Sequence, residues 1–195
     1  MGKIAFVFSG PGAQKAGMGK SFYDNNQVVH TLFDQAEKMR PGTLELCFTG
    51  SDDALKNTAN TQPSLYLTDL AAAIVLKEAG ITPDGVAGFS LGEIPALAFA
   101  GAYDMLDGFQ IAVERGKLMA KAAEAYPASM LAVMKLSNQE IEEVCSRFKH
   151  VYPVNYNAPN QLVVAGSLDE MHDFSQAVRE AGGRGLPVKV GGGFH

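Results

Sequence analysis

The stretch that decides the fold is Gly85-Val-Ala-Gly-Phe-Ser-Leu-Gly-Glu93, in which a short apolar strand runs into Ser90 between Gly88 and Gly92. This is the G-x-S-x-G pattern of a nucleophile elbow, where a strand turns sharply into a helix and the serine projects from the corner. The free amides and the dipole at a helix N-terminus favour developing negative charge. The pattern therefore predicts Ser90 as a nucleophile and the Leu91 amide as an oxyanion donor. The alternative is a helix cap, because Ser90-Leu-Gly-Glu93 also fits the S-x-x-E capping box.

Working outward, the first two thirds of the chain predict an α/β domain. The continuous apolar run of residues 3–8 predicts a parallel strand covered on both faces, and 85–89 a second one. Helical periodicity is found over 20–40, 62–79, 91–100 and 104–125. A parallel sheet of two strands does not bury itself. We therefore expect a further segment, beyond His195 or from another chain, to complete the sheet.

The pattern changes at about residue 128 to the order βαββαβ, which is ferredoxin-like. The predicted strands are 130–135, 151–156, 161–166 and 185–190, and the predicted helices are 138–148 and 168–181. Residues 157–160 form the predicted loop of the central hairpin. We therefore place one domain at 1–127, a small inserted subdomain at 128–190, and a Gly-rich return loop at 191–195 that carries His195.

Composition excludes several classes of function. The chain has 195 residues, 47% of them hydrophobic, and a net charge of -5, so it has no basic surplus for nucleic acid or an anionic membrane. No apolar run approaches the length of a membrane span, and the N-terminus reads as a strand rather than a signal peptide. Cys47 and Cys145 have no CxxC spacing, which favours buried thiols in a reducing cytoplasm. We predict no metal site.

Three further features are candidates for chemistry. The loop Ser9-Gly-Pro-Gly-Ala-Gln14 follows the first strand, where the Gln14 amide can be a second oxyanion donor or the loop a plain turn. His195 is the candidate base, because a serine hydroxyl needs an imidazole to take its proton. Arg115, on the helix over 104–125, is either a solvated charge or a guanidinium that binds a substrate carboxylate.

Six motifs, taken in order along the whole chain, resemble the malonyl-CoA:acyl carrier protein transacylase family. They are Gly10-Pro-Gly-Ala-Gln14, Thr61-Gln-Pro63, Gly88-Phe-Ser-Leu-Gly-Glu93, Arg115-Gly116, Asn157-Ala-Pro-Asn-Gln-Leu-Val-Val-Ala-Gly166 and Phe194-His195. The resemblance implies an α/β-hydrolase-like domain with a ferredoxin-like insert. It also implies ping-pong transfer of malonyl from coenzyme A, through a Ser90 ester, to the phosphopantetheine thiol of acyl carrier protein in fatty acid biosynthesis.

The resemblance also implies roles for the other candidates. His195 would be the base, and the amides of Leu91 and Gln14 the oxyanion hole. Arg115 would pair with the free malonyl carboxylate and Phe194 would favour malonyl. The pocket would also be lined by Gln62 and Asn157. No permanent cofactor is implied, and we expect a cytoplasmic monomer.

Three departures from the family pattern stand out. Phe89 replaces the histidine that usually precedes the nucleophile, and Pro95 lies early in the elbow helix. Family members continue roughly a hundred residues beyond the catalytic histidine, and that part supplies a glutamine that orients the imidazole. We therefore expect weak or absent activity for the 195-residue chain alone.

Two alternatives stay open. The first is a thioesterase or esterase of the same architecture, whose acid would be Asp169 or Asp173 by chain order. The second is a truncated, non-catalytic domain that binds a carrier protein.

Overall fold

The computed structural model describes residues 2–188 and 190–195 and divides into two compact units, Met1–Leu118 and Met119–His195. In the first unit, strands β1 (Ala5–Phe8) and β2 (Gly85–Gly88) pair in parallel, with Ala5 opposite Gly85 and Phe8 opposite Gly88. The helices are α1 (Lys20–Asn25), α2 (Gln27–Met39), α3 (Thr43–Thr49), α4 (Asp52–Lys56), α5 (Thr58–Glu78), α6 (Glu93–Phe99) and α7 (Met105–Ala125), the last of which continues into the second unit.

The core of the first unit forms around α5, which is buried on nearly all sides. Leu65, Tyr66, Leu67 and Leu70 are at most 2% exposed. Phe33 of α2 and Phe109 of α7 are fully buried in the same apolar cluster. A helix that is apolar all round belongs in a core, so any polar side chain on α5 needs an explanation.

Several sequence expectations for this unit need correction. The single helix over 20–40 is two helices, because Asn26 takes an extended conformation and its side chain accepts a hydrogen bond from the Val29 amide, capping α2. The pattern also missed α3 and α4. The expected cover on both faces of β1 is wrong among the described residues, since Phe6 and Phe8 are buried but Val7 is 77% exposed.

The second unit has the predicted βαββαβ order. It contains β3 (Ala128–Met134), α8 (Asn138–Cys145), β4 (Val151–Ala158), β5 (Gln161–Ser167), α9 (Leu168–Glu180) and β6 (Arg184–Pro187). The strands form an antiparallel sheet in the order β4-β5-β3-β6. The hairpin loop shrinks to Pro159–Asn160, and the last strand ends earlier than predicted. Lys189, which we placed in that strand, lies outside the described residues.

The two faces of this sheet carry different neighbours. Alternate residues such as Leu131 and Val164 pack under α8 and α9. Met130, Val163 and Ala165 point to the other face, where Phe194 packs against them. Residues 190–195 therefore lie on the face opposite α9.

Candidate active site

The elbow has the strained backbone that the motif predicts. Ser90 has φ 52, in the left-handed region that a residue with a side chain rarely adopts, and it begins a 3-10 turn that ends at Gly92. A side chain at Gly88 would overlap the Gly92 backbone, and one at Gly92 would overlap the Phe8 carbonyl. A capping serine has extended backbone; here α6 begins after Gly92, so the conformation of Ser90 is that of an elbow.

Arg115 faces Ser90. Its Nη2 donates to Ser90 Oγ at 3.2 Å, and its Nη1 donates to Gln62 Oε1 at 2.6 Å. The solvated-charge interpretation fits Lys117 instead, which is exposed and pairs with Glu114 at 2.8 Å. Burial lowers the pKa of the Arg115 guanidinium and nearby Glu93 partly offsets this, but arginine stays charged at neutral pH.

Gln62 and Gly116 hold this guanidinium in place. Gln62 is fully buried on α5, and its Nε2 donates to Thr58 Oγ1 at 2.8 Å, which turns its oxygen toward Arg115. Gly116 lets α7 approach α5 closely, because a Cβ there would lie 2.9 Å from the Thr58 carbonyl oxygen. The contact between two helices therefore sets where the charge lies.

The Gly-rich loop lies against the elbow. A Cβ at Gly10 would lie 2.6 Å from the Phe89 carbonyl oxygen and 2.8 Å from the Phe89 ring, so the loop and the residue before the nucleophile are in direct contact. Further along, Gln14 Oε1 accepts from the Gly12 amide at 2.7 Å. Gly12 has φ 120, which requires glycine. The side chain of Gln14 thus closes its own loop.

The remaining predicted site residues lie in the second unit. Phe194 and His195 line a cavity of about 570 Å³ with His150 and Tyr152, among others. Phe194 is half-buried against the sheet, whereas His195 is exposed, with φ 66. Asn157 is exposed near the end of β4 and is not among the residues that line this cavity.

Two of the departures from the family pattern have simple structural outcomes. Phe89 is 47% exposed and packs on Gly10. Pro95 is the third residue of α6, where the backbone amide has no partner within the helix, so the proline breaks no hydrogen bond.

Sequence reasoning missed one polar contact beside the site. Ser9 Oγ donates to Asp69 Oδ1 at 2.9 Å, and Asp69 lies on the buried helix α5. The signal was present, since Asp69 is an acidic residue beside the apolar run of residues 70–76.

The fold and the strained turn at Ser90 are those of an α/β acyl-group transferase or hydrolase. The chain belongs to the acyl transferase domain family, whose sequence profile matches residues 5–195. It is similar over its whole length to the malonyl CoA-acyl carrier protein transacylase of Bacillus subtilis, with 36% identity, and it spans 63% of that relative.

Solved structures agree with this assignment. The malonyl CoA-acyl carrier protein transacylase from Clostridium perfringens matches with a TM-score of 0.92 and 33% identity, covering 100% of this chain and 63% of that one. A malonyl-transacylase in complex with its type II polyketide acyl-carrier protein matches with a TM-score of 0.89 and 33% identity, covering 98% and 64%. The α/β fold with a parallel and an antiparallel sheet is confirmed.

Among residues 2–188 and 190–195, no helix is long and apolar enough to cross a membrane. No group of three histidine, cysteine or acidic side chains in the same residues could hold a metal ion. Cys47 and Cys145 are both free and buried, as predicted.

Proposed function

We propose that this protein transfers a malonyl group from coenzyme A, through an ester on Ser90, to the phosphopantetheine thiol of acyl carrier protein. The observation that carries the proposal is the Arg115 guanidinium, held by Gln62 and 3.2 Å from Ser90 Oγ. An acyl group on Ser90 that ends in a carboxylate after one methylene would bring that carboxylate to the guanidinium. An acetyl group would leave the same half-buried charge without a partner, which is costly.

The proposed reaction has two half-reactions. His195 takes the proton of Ser90, whose oxygen attacks the thioester carbonyl, and the tetrahedral oxyanion accepts hydrogen bonds from the Leu91 and Gln14 amides. Collapse breaks the carbon–sulfur bond, and the coenzyme A thiolate leaves with the proton from His195. His195 then takes the proton of the carrier thiol, whose sulfur attacks the ester carbonyl. The ester carbon–oxygen bond breaks, and Ser90 Oγ regains a proton from His195.

The choice of carrier rests on relatives. The proteins of Bacillus subtilis and Clostridium perfringens are named as malonyl CoA-acyl carrier protein transacylases, and one similar structure is a complex with an acyl-carrier protein. We extend that partner to this chain. Phe194 and Asn157 remain proposed pocket residues. A cytoplasmic location, a monomeric state and the lack of a permanent cofactor remain predictions.

The placement of acidic residues favours transfer over hydrolysis. A hydrolase of this architecture uses an acid to orient its histidine. The two candidates by chain order, Asp169 and Asp173, are exposed on α9, which packs on the sheet face opposite Phe194. A half-buried cation beside the nucleophile also has no role toward neutral esters.

The test is acylation of the purified protein by malonyl-CoA and by acetyl-CoA, read as the intact mass, followed by addition of acyl carrier protein. We expect one malonyl group on Ser90, accepted only slowly in keeping with the weak activity expected of the 195-residue chain, none on Ser90→Ala, and its transfer to the carrier. Arg115→Gln should lose malonyl selectivity by about 10- to 100-fold, the worth of a charge-assisted hydrogen bond. Lys117→Gln is the matched control, because that cation lies on the exposed side of α7.

Two outcomes would contradict the proposal. Rapid release of malonate without any carrier would indicate a thioesterase. A chain that is never acylated but binds acyl carrier protein would indicate the non-catalytic alternative.

A further inference from the structure

The contact between Ser9 and Asp69 joins the core to the Gly-rich loop. Ser9 Oγ donates to Asp69 Oδ1 at 2.9 Å, whereas Asp69 Oδ2 is buried and has no hydrogen-bond partner in the part of the chain that the structure describes. Asp69 as a whole is half-buried, but a buried carboxylate oxygen without a partner costs free energy. Burial raises the pKa of Asp69 to about 6, and its hydrogen bonds with Ser9 only partly oppose this rise.

Ser9 is the point where β1 becomes the loop, and it touches the elbow directly. A Cβ at Gly92 would lie 2.6 Å from the Ser9 carbonyl oxygen, and the Phe89 amide donates to the Phe8 carbonyl at 3.1 Å. The next residue, Gly10, packs on Phe89. A displacement of Ser9 would therefore move both the loop and the backbone that carries Ser90.

Helix α5 supports the site at two points on one face. Gln62 and Asp69 are seven residues apart, which is close to two full turns and about 10 Å along the axis. Gln62 holds Arg115, which binds the proposed carboxylate, and Asp69 holds Ser9, which begins the loop of Gln14. One buried helix thus contacts both the charge-binding side and the loop side of Ser90.

We propose that Asp69 is a positioning residue that fixes the start of the loop 9–14 against the elbow, and thereby places the Gln14 amide for the oxyanion. Its role in catalysis rests on the function proposed above, but its effect on the loop does not. Asp69 does not touch substrate; it acts through Ser9.

The effect of Asp69 ionisation on the stability of the fold separates a positioning role from a purely structural role. The pKa of Asp69 in the folded protein, about 6, lies above its ordinary value of 3.8. The stability contributed by the group is fully present below the lower value and is lost as the pH rises through about 6. At pH 8 the ionised side chain therefore destabilises the fold, and a positioning role is the benefit that offsets this cost.

The experiment compares Asp69→Ala and Asp69→Asn with wild type at pH 8. It uses amide hydrogen exchange of the loop 9–14, labelling of Ser90 by a fluorophosphonate, the malonyl acylation rate and the melting temperature. For Asp69→Ala we expect exchange in the loop to rise about tenfold and Ser90 acylation to fall about tenfold, with KM for malonyl-CoA unchanged and the melting temperature equal or higher. Asp69→Asn keeps an oxygen for Ser9 and should restore the loop and the rate.

Ser64→Ala is the matched control, because Ser64 is buried on the same helix and its hydroxyl, like Asp69 Oδ2, has no hydrogen-bond partner among the described residues. If the amides of the loop 9–14 exchange at the wild-type rate in Asp69→Ala, the inference is overturned. A fall in melting temperature that parallels the fall in rate, without rescue by asparagine, would also overturn it. If wild type accepts no malonyl, the proposed function fails, while loop exchange and fluorophosphonate labelling still test Asp69.

Discussion

Replacement of Gly92 by alanine tests whether close packing at the elbow sets the geometry of Ser90. Gly92 has helical angles, φ -57 and ψ -20, so alanine meets no backbone strain there and would gain about 1 kcal/mol of helix propensity. The obstacle is space: its Cβ would overlap the Phe8 carbonyl oxygen and lie 2.6 Å from that of Ser9. Overpacking typically costs 1–3 kcal/mol.

The cost of overpacking should exceed the gain in helix propensity. Both obstructing atoms belong to backbone at the end of β1, which is held by pairing with β2 and by the hydrogen bond from the Phe89 amide. Backbone held in this way yields less than a flexible side chain, so we expect a net loss of about 2 kcal/mol. For a chain of this size that loss lowers the melting temperature by about 4–8 °C.

The assay is calorimetry combined with the rate of fluorophosphonate labelling of Ser90, which should fall by more than tenfold because the elbow must shift. Gly85→Ala is the matched control: it lies at the start of β2, the strand that leads into the elbow, and its Cβ would have no atom within 4 Å. If Gly92→Ala melts and labels like Gly85→Ala, the reasoning is refuted.

Two further substitutions test other parts of the chain. Gln62→Glu places a carboxylate where the amide oxygen now accepts a hydrogen bond from Arg115. The resulting ion pair should lower kcat/KM for malonyl-CoA about 10- to 100-fold relative to acetyl-CoA in a competition assay. An unchanged ratio would show that Arg115 does not select the substrate. Ser137→Ala removes the capping box of α8 and should lower the free energy of unfolding by about 1 kcal/mol in urea titration, whereas Ser146→Ala at the other end of α8 should have a smaller effect.

The elbow could be predicted because its whole pattern lies within five consecutive residues. A side chain at Gly88 would meet the nearby Gly92 backbone, whereas one at Gly92 would meet the distant Phe8 and Ser9 carbonyl oxygens, but both glycines stand beside Ser90 in the motif. The βαββαβ order was equally readable, since period-2 and period-3.6 patterns alternate at regular lengths. These predictions rest on neighbours in sequence, and the structure confirms the order of elements.

The errors arose where a local signal was outweighed or overlooked. Asn26 is a helix-capping residue inside a stretch of continuous helical periodicity, and we gave the periodicity priority. Helix α5 begins at Thr58, four residues before the predicted start, because Asn57 caps it. Pro63 lies inside this helix, within its first two turns, so the proline does not mark the residue at which α5 begins.

Contacts between distant segments were beyond the sequence. The hydrogen bond between Arg115 and Gln62 joins residues 53 positions apart, and that between Ser9 and Asp69 joins residues 60 apart. Periodicity could assign each residue to a helix or a loop, but not the partner that faces it. The solvated interpretation of Arg115 therefore could not be rejected from the sequence; the close approach of α7 to α5 at Gly116 and the hydrogen bond to Gln62 argue against it, and substrate binding by Arg115 stays a prediction.

These two contacts share a physical cause that links the core to the site. A polar side chain on a helix that is buried on nearly all sides is stabilised strongly by any hydrogen-bond partner within reach, because burial of an unpaired polar group costs free energy. Gln62 and Asp69 therefore form hydrogen bonds with the polar groups that pack against that face of α5, which are those of Arg115 and Ser9. The same burial that makes α5 the centre of the core makes it the support on which the site is held, so substitutions that shift α5 should affect Ser90 even where they touch neither substrate nor loop.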